Sequence, residues 1–266
     1  MRKTFETLIA EAERAPFEGW DFSLLAGRMV EAPLAFDYVA HVRRRLPGVG
    51  ALLDLGTGGG EVLAQIAPLP ETTIATEAYA PNAPLAARRL AEFRACVVLV
   101  QGPPENWQTL ATPDCNRPPL PVRDRAFDLV IDRHESYLAA EVFRILRPGG
   151  RFITQQCGGT HHTQLNDRIG IPRPRYAAWR LAAAQDQLRS AGFEHVSGQE
   201  EFTITRFHDV GAIVYYLRAL PWQAPGFRAA EHLESLWSLH REIKESGALV
   251  VRGHHFLLEA SRPERD

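Results

Sequence analysis

The residues best placed to do chemistry in this sequence form a glycine-rich stretch that follows a short apolar run. The stretch reads Leu52-Leu53-Asp54-Leu55-Gly56-Thr57-Gly58-Gly59-Gly60-Glu61. Glycine lacks the Cβ that blocks positive φ and close approach, and the first turn of a following helix presents unpaired N–H groups. A strand-to-helix turn without a ligand does not need four glycines in five positions. The pattern therefore predicts a loop whose backbone contacts a small ligand.

Two classes of ligand compete for such a loop, a dinucleotide and a single nucleoside. A dinucleotide fingerprint needs Gly or Ala three positions after its second glycine. That position is Glu61 when the count starts at Gly56, and Leu63 when it starts at Gly58. A carboxylate at a helix start also repels a diphosphate. The spacing Asp-x-Gly-x-Gly-x-Gly is met instead, by Asp54, Gly56, Gly58 and Gly60.

This spacing resembles motif I of the class I S-adenosylmethionine-dependent methyltransferases, and three further segments support the resemblance. Glu77 ends the next apolar run, 21 residues after Gly56, where the family places an acid on the ribose hydroxyls. An acid there is also expected for NAD. The segments AFDLVID (126–132) and FRILRPGGRFI (143–153) look like the family's fourth-strand motif and the signature that leads to its fifth strand. The resemblance covers about residues 50–157.

The resemblance implies S-adenosyl-L-methionine as the cofactor and a doubly wound α/β fold with a seven-stranded, mostly parallel sheet. Asp54 would approach the cofactor's ammonium, and Glu77 would accept both ribose hydroxyls. The implied cofactor-binding residues are Asp54, Gly56, Thr57, Gly58, Gly60, Glu77, Ala78, Glu105 and Asp132. One departure concerns the adenine contact, because Gly102-Pro103-Pro104-Glu105 stands where the family often has Gly-Asp-Ala. Glu105 is a candidate substitute for that aspartate.

Polar residues that follow the fourth and fifth predicted strands are candidates for catalysis. Ligands of doubly wound sheets lie outside the carboxyl ends of the strands. A histidine of near-neutral pKa there could take a proton from a hydroxyl acceptor. We therefore predict His134 and Glu135 as catalytic residues, with Glu135 either orienting His134 or acting as the base itself. The alternative is that both residues only cap the next helix.

The histidine pairs of the sequence do not predict a metal site. His161-His162 and His254-His255 are adjacent in sequence, and neighbouring side chains of a strand point to opposite faces. We therefore expect no metal.

Composition and charge limit the partners that the protein can have. Thirty Lys and Arg against 32 Asp and Glu give a net charge of −2, so no global field attracts nucleic acid or an anionic membrane. The arginines of segment 168–180 could recognise a carboxylate or phosphate, or form a solvated surface. Three cysteines without a CxxC pair argue against a disulfide scaffold or a zinc ribbon and suit a reducing cytosol. No signal peptide or membrane helix is expected, and the sequence leaves the oligomeric state open.

The elements that must position these residues alternate along the chain. Short apolar runs between helical segments predict a parallel sheet with crossover helices. The predicted strands are 51–55, 73–76, 96–101, 129–132, 151–155, 201–206 and 254–260, and helices are expected to begin near Gly60, Asn82, Tyr137 and Tyr176. The predicted domains are a helical lead-in or lid (1–46), a cofactor-binding core (47–208), a helical cap (209–250) and a last strand with its tail (251–266).

Taken together, these features predict a cytoplasmic S-adenosylmethionine-dependent methyltransferase that acts on a small-molecule acceptor by in-line methyl transfer. Aromatic residues of the predicted cap would exclude water from the reaction. Three alternatives stay open, namely a cofactor-binding module without catalysis, a methyltransferase of RNA or protein, and an NAD oxidoreductase. The acceptor atom, whether O, N, C or S, is not fixed by the sequence.

Overall fold

The computed structural model describes residues 3–17, 21–102 and 120–265. Its strands are β1 Met29–Glu31, β2 Ala51–Leu55, β3 Thr72–Glu77, β4 Cys96–Leu99, β5 Phe127–Arg133, β6 Leu146–Cys157, β7 Glu194–Glu201, β8 Ile204–Phe207, β9 Leu249–Arg252 and β10 His255–Ser261. Its helices are α1 Phe5–Arg14, α2 Tyr38–Arg43, α3 Glu61–Ile66, α4 Ala83–Leu90, α5 Ala139–Ile145, α6 Thr163–Ile169, α7 Leu181–Ser190, α8 Val210–Ala219 and α9 Leu233–Ser246.

Seven strands form one sheet in the order β4-β3-β2-β5-β6-β10-β7. The pairs from β4 through β6 are parallel, whereas β10 runs antiparallel to β6. The chain builds outward from β2 to β4 and then returns to place β5 on the other side of β2. Such a reversal leaves a crevice at the carboxyl ends of the two central strands, where ligands of doubly wound sheets bind. The predicted seven-stranded, mostly parallel α/β fold is confirmed.

The central strands form where the sequence has continuous apolar runs. All five residues of β2 are buried, as expected for a parallel strand that is covered on both faces. The Asp128 carboxylate accepts hydrogen bonds from the backbone N–H of Gly50 (3.0 Å) and Ala51 (2.8 Å), which fixes the start of β2 beside β5. The first five predicted strands match β2 to β6, although β6 is longer because it begins at Leu146.

The helix predicted near Tyr176 begins later, at Leu181. Arg180, the residue before it, has extended backbone, and the N–H of Leu181 donates to Glu200 Oε1 (3.0 Å). A side chain that is distant in sequence thus helps to define the first turn, which local pattern reading does not detect. Helices expected near Gly60, Asn82 and Tyr137 begin within two residues of those positions.

The chain divides into two compact units. One comprises Ala35–Gly158, Ala178–Glu200 and His255–Asp266, and it holds the seven-stranded sheet with α2 to α5 and α7. The other comprises Met1–Leu34, Gly159–Ala177 and Glu201–His254. These boundaries differ from the predicted ones at 46, 208 and 250, because three separated segments build the second unit together.

The second unit has its own apolar core around α8. Nine of the ten residues of α8 are buried, and α1 packs against this helix. A small antiparallel sheet in the order β1-β8-β9 completes the unit. The predicted strand 201–206 is therefore two strands, because β7 ends at Glu201 in the large sheet and β8 begins at Ile204 in the small one. Strand β7 is mostly exposed and lacks an apolar run, so periodicity did not reveal it.

A buried acid on β10 connects this strand to the neighbouring strand β6 and to the region of α2. Glu259 of β10 accepts hydrogen bonds from His41 (2.8 Å), Arg45 (2.9 Å) and Arg151 (2.8 Å), and its side chain is 11% exposed. These partners lower the pKa of Glu259 to about 2 against the opposing effect of burial. Within the described residues, no helix combines the length and the apolar composition needed to cross a membrane.

Candidate functional site

The glycine loop joins the buried end of β2 to α3 through left-handed backbone. Gly56, Gly58 and Gly60 have φ values of +63°, +61° and +81°. The backbone N–H of Thr57 donates to the carbonyl of Thr76 (2.8 Å), and the N–H of Gly56 donates to the Thr76 hydroxyl (3.3 Å). Strand β3 thus fixes the position of the loop at the switch point of the sheet.

The start of α3 is occupied by an ion pair. Arg89 of α4 binds the Glu61 carboxylate and also donates to the backbone carbonyl of Gly59. Because Arg89 compensates the charge of Glu61, the argument against a dinucleotide depends on the spacing of the glycines and not on repulsion by this carboxylate.

Glu77 is buried at the carboxyl end of β3, in the place where the sequence predicts a ribose-binding acid. Its Oε1 accepts hydrogen bonds from the backbone N–H groups of Ala78 (2.8 Å) and Tyr79 (2.7 Å). These two bonds fix the direction of the carboxylate. Tyr79 is exposed, and Ala78 contributes to the wall of the cleft described next.

A cleft opens beside the loop at the carboxyl ends of β2, β3 and β5. Its lining includes backbone of the loop at Gly56 and the carboxylate-bearing Glu135. Most of the remaining wall is apolar, and its aliphatic members are Leu55, Ala78, Val100, Leu120, Leu138 and Val142. An apolar cleft with a few polar groups is the usual form of a site that takes a flat, drug-sized molecule. The apolar wall suits the flat face of a nucleobase.

Two buried acids stand at the ends of the central strands. Burial and, to a smaller extent, the nearby charge of Glu77 raise the pKa of Asp54 to about 7. Burial also raises the pKa of Asp132 well above its ordinary range, with a contribution from the charge of Glu135. Asp132 Oδ1 accepts hydrogen bonds from Thr154 (2.9 Å) and Gln156 (2.7 Å), whereas Oδ2 is buried without a hydrogen-bond partner among the described residues. A cationic group of a ligand would satisfy these carboxylates.

The two predicted catalytic residues make different contacts. Glu135 lines the cleft, and its Oε1 accepts a hydrogen bond from the backbone N–H of Ser136 (2.9 Å). The ring of His134 contacts Gln155 Nε2 (3.4 Å) and Cys157 Sγ (3.6 Å). His134 also has a φ of +66°, a conformation that costs a non-glycine residue energy and that often marks a functional site.

The helix-capping alternative for these residues does not fit α5. That helix begins at Ala139, and its cap residue, Leu138, makes no side-chain hydrogen bond to the first turn. Instead, Gln156 Nε2 donates to the backbone carbonyl of Glu135 (2.8 Å) and connects it to Asp132. Sequence reasoning missed Gln156, although it lies two residues after Thr154 on β6 and therefore projects from the same face of the sheet.

The predicted substitute for the adenine contact, Glu105, lies outside the described residues.

One group of side chains brings possible metal ligands close together. Possible ligand atoms of Glu31, His161 and His162 lie within 4.8 Å of one another. Both ring nitrogens of His162 are already hydrogen-bonded, to Tyr216 (2.8 Å) and Thr205 (2.8 Å), which does not favour a metal there. The expectation that no metal binds stays a prediction.

Two solved structures share this fold. YcgJ from Bacillus subtilis superimposes with a TM-score of 0.56 at 14% identity, over 85% of this chain and 98% of that protein. A candidate methyltransferase from Bacillus halodurans gives a TM-score of 0.54 at 17% identity, with the same two coverages. No protein-family profile matches the chain.

A curated relative is similar in sequence as well. The chain is 30% identical over 215 residues to the 23S rRNA (guanine(748)-N(1))-methyltransferase of Streptomyces fradiae, across 79% of this chain and 70% of the relative. This chain has three features that are typical of one methyltransferase class. They are the glycine loop, the acid that ends β3 and the seven-stranded sheet. The chain therefore belongs to the class I S-adenosylmethionine-dependent methyltransferases, with S-adenosyl-L-methionine as its cofactor.

Proposed function

We propose that this enzyme transfers a methyl group to a small-molecule acceptor and that the cleft beside the glycine loop holds the cofactor. Bound S-adenosylmethionine supplies an electrophilic methyl group on a sulfonium. Asp54 binds the ammonium of the cofactor, Glu77 its ribose, and the apolar wall near Ala78 its adenine. The full set that we assign to the cofactor comprises Asp54, Gly56, Thr57, Gly58, Gly60, Glu77, Ala78 and Asp132, with Glu105 outside the described residues.

The proposed base is Glu135, with His134 as the second candidate. In-line displacement needs the acceptor held opposite the leaving sulfur, and an O–H or N–H acceptor must lose a proton. Glu135 is supported by its position in the cleft wall beside Gly56. His134 is supported by its strained backbone and its place directly after β5.

The observation that carries the choice of a small acceptor is that several surface arginines form ion pairs. Arg173 is paired with Asp167 and Arg168 with Glu242, so the basic stretch predicted near residues 168–180 is partly compensated. Further arginines that form ion pairs are Arg28, Arg45, Arg89, Arg144, Arg147, Arg151 and Arg189. RNA binding depends on basic side chains that exchange counterions with phosphates. These ion pairs and a net charge of −2 reduce the attraction of the protein for phosphates.

A second candidate function is methylation of RNA. It is supported by the Streptomyces fradiae relative, whose name states that it methylates 23S rRNA. A reducing compartment such as the cytoplasm suits either function, because Cys96 and Cys157 are free thiols.

Radiolabelled S-adenosylmethionine distinguishes the candidates. The enzyme is incubated with the label and either a protein-free metabolite extract or ribosomal RNA, with and without added salt. We expect label in the small-molecule fraction and little effect of salt. If RNA becomes labelled and the amount of label falls steeply as the salt concentration rises, the acceptor is RNA and not a small molecule. Tight binding of S-adenosylhomocysteine without labelled product from either pool would favour a binding module without catalysis.

A further inference from the structure

A thiol and two imidazoles from neighbouring strands of the large sheet lie in contact. Cys157 ends β6, and the register places it directly opposite His255, the first residue of β10. Directly opposed residues of an antiparallel pair project from the same face. Cys157 Sγ lies 3.8 Å from His255 Nδ1 and 3.6 Å from His134 Nδ1, both within hydrogen-bond range for sulfur. The described lining of the cleft does not include Cys157, so the thiol stands outside the proposed cofactor site.

The backbone conformation of His134 places its ring beside this thiol. His134 follows the last residue of β5, and its φ of +66° departs from strand geometry. Its backbone N–H still donates to the carbonyl of Gln155 on β6 (2.9 Å), which holds His134 next to that strand. Side chains alternate along an extended strand, so an extended residue here would point away from the face of Cys157. The left-handed backbone, which costs a histidine energy, instead brings the ring to the sulfur.

The amide of Gln155 determines which imidazole can accept the thiol proton. Gln155 Nε2 can only donate, and it lies 3.4 Å from His134 Nε2. That ring nitrogen therefore accepts, and neutral His134 carries its proton on Nδ1, the atom that faces Cys157 Sγ. His134 thus donates to the sulfur, and the thiol proton is directed to His255 Nδ1. A hydrogen-bond donor, a thiol and a base stand in the order that activates a nucleophile.

A positive charge on the same face favours negative charge on this sulfur. Arg133 is in register with Gln155, and Cys157, two residues later on β6, shares that face. Burial lowers the pKa of the Arg133 guanidinium, whereas the charges of Tyr38 and Cys157 raise it. A neighbouring cation stabilises a thiolate, and reactive thiols combine such surroundings with access to solvent. Cys157 is partly exposed, so a small reagent can reach it.

We propose that Cys157 is a modification site, an activated thiol that small hydroperoxides oxidise to a sulfenic acid. Cys157 Sγ attacks one peroxide oxygen, the S–O bond forms as the O–O bond breaks, and the thiol proton passes to His255 Nδ1. The sulfur is oxidised and the peroxide is reduced. The leaving hydroxide takes the proton from His255, so one hydrogen peroxide yields one sulfenic acid and one water. This inference goes beyond the proposed function and does not depend on it, because neither cofactor nor acceptor takes part.

The test compares two cysteines of the same molecule. Reduced, chelator-treated protein is incubated with hydrogen peroxide, and the remaining thiols are alkylated in denaturant. Mass spectrometry of the peptides gives the oxidation rate of each cysteine, and dimedone identifies the sulfenic acid. Cys96 is the matched control, because it is a fully exposed free thiol on β4. In folded protein we expect Cys157 to react at least about 10-fold faster than Cys96, although it is less accessible, and in urea at a similar rate.

A histidine variant tests the assignment of the base. His255→Gln should slow the oxidation of Cys157 by about 10-fold or more and leave that of Cys96 unchanged. His195→Gln is the control, because His195 is an exposed histidine on β7. An unchanged rate at Cys157 in His255→Gln would overturn the proposal.

The wild-type protein decides the question if His255→Gln does not fold. A ratio of the Cys157 rate to the Cys96 rate that is the same in folded protein and in urea would show that the fold does not activate this thiol. That result would overturn the proposal, whereas a ratio that rises on folding would support it.

Discussion

Glu135 packs directly on the backbone of Gly56. A β-carbon added to Gly56 would lie 2.5 Å from both Cβ and Cγ of Glu135 and 2.7 Å from its Oε2. The proposed base and the proposed cofactor loop are therefore in contact, although 79 residues separate them in sequence. A change at one of these positions is expected to act on the other.

Gly56→Ala is expected to abolish cofactor binding. The substitution places a β-carbon in contact with Glu135 and also in left-handed backbone, which costs about 1–2 kcal/mol by itself. Calorimetric titration with S-adenosylhomocysteine measures the loss. Gly48→Ala is the control, because Gly48 has a φ of +83° but no atom within 4 Å of the added carbon. Equal binding by both variants would show that the loop does not contact the cofactor.

Glu135→Gln is expected to lower turnover by roughly 10²- to 10⁴-fold and to leave binding of S-adenosylhomocysteine nearly unchanged, because the amide keeps the shape but cannot accept a proton. His134→Gln serves as the comparison. Single-turnover rates of methyl transfer to an identified acceptor measure the effect of each substitution. A larger loss for His134→Gln would make the histidine the base, and full activity of both variants would indicate an acceptor that needs no base.

Cofactor affinity is expected to rise with pH around neutrality. The pKa of Asp54 is about 7 in the free protein, because burial disfavours its charged form. Binding of an ammonium favours the carboxylate, so below that pH the protein must release a proton on binding. The affinity for S-adenosylhomocysteine should therefore increase with pH up to about pH 7, by ~10-fold per unit at most, and then level off.

Asp54→Asn is the control for this pH dependence. It should bind more weakly and show a flatter pH profile, since the amide does not titrate. Calorimetry in two buffers of different ionisation enthalpy measures the released proton directly. A wild-type profile that is already flat between about pH 6 and about pH 8 would contradict the assignment of Asp54 to the ammonium.

Glu259→Gln is expected to destabilise the sheet without touching the cofactor site. The pKa of Glu259 is lowered from 4.5 to about 2, so its ion pairs stabilise the fold above pH 4.5 and are lost as the pH falls toward 2. Because Arg45 and Arg151 are about half exposed, we expect a loss of about 1–3 kcal/mol at neutral pH. Urea unfolding at neutral pH and near pH 3 measures it. A difference between variant and wild type that does not shrink on acidification would contradict this account.

The fold was largely predictable because its signals are local. Strand β2 combines a continuous apolar run with a glycine loop, and β3 ends in an acid, Glu77, just before a turn. Strand β7 could not be predicted, because most of its residues are exposed and it is held by pairing with β10. The second unit was only partly anticipated, since β1 has three residues and finds its partner, β8, far along the chain.

The candidate site was predictable where backbone conformation dictates residue type, as at Gly56 and Gly60. It was less predictable where the role depends on distant partners. Gln156 gains its place beside Asp132 only through pairing of β6 with β5. Strand register is set by packing across the whole sheet, which a single sequence does not display.

The place of β10 between β6 and β7 has a consequence for folding. Residues 255–261 follow both strands in the chain, yet they lie between them in the sheet. Until β10 pairs with β6, that strand offers an unpaired edge that other chains can join. Shielding of the β6 edge by a chaperone would therefore limit aggregation during expression.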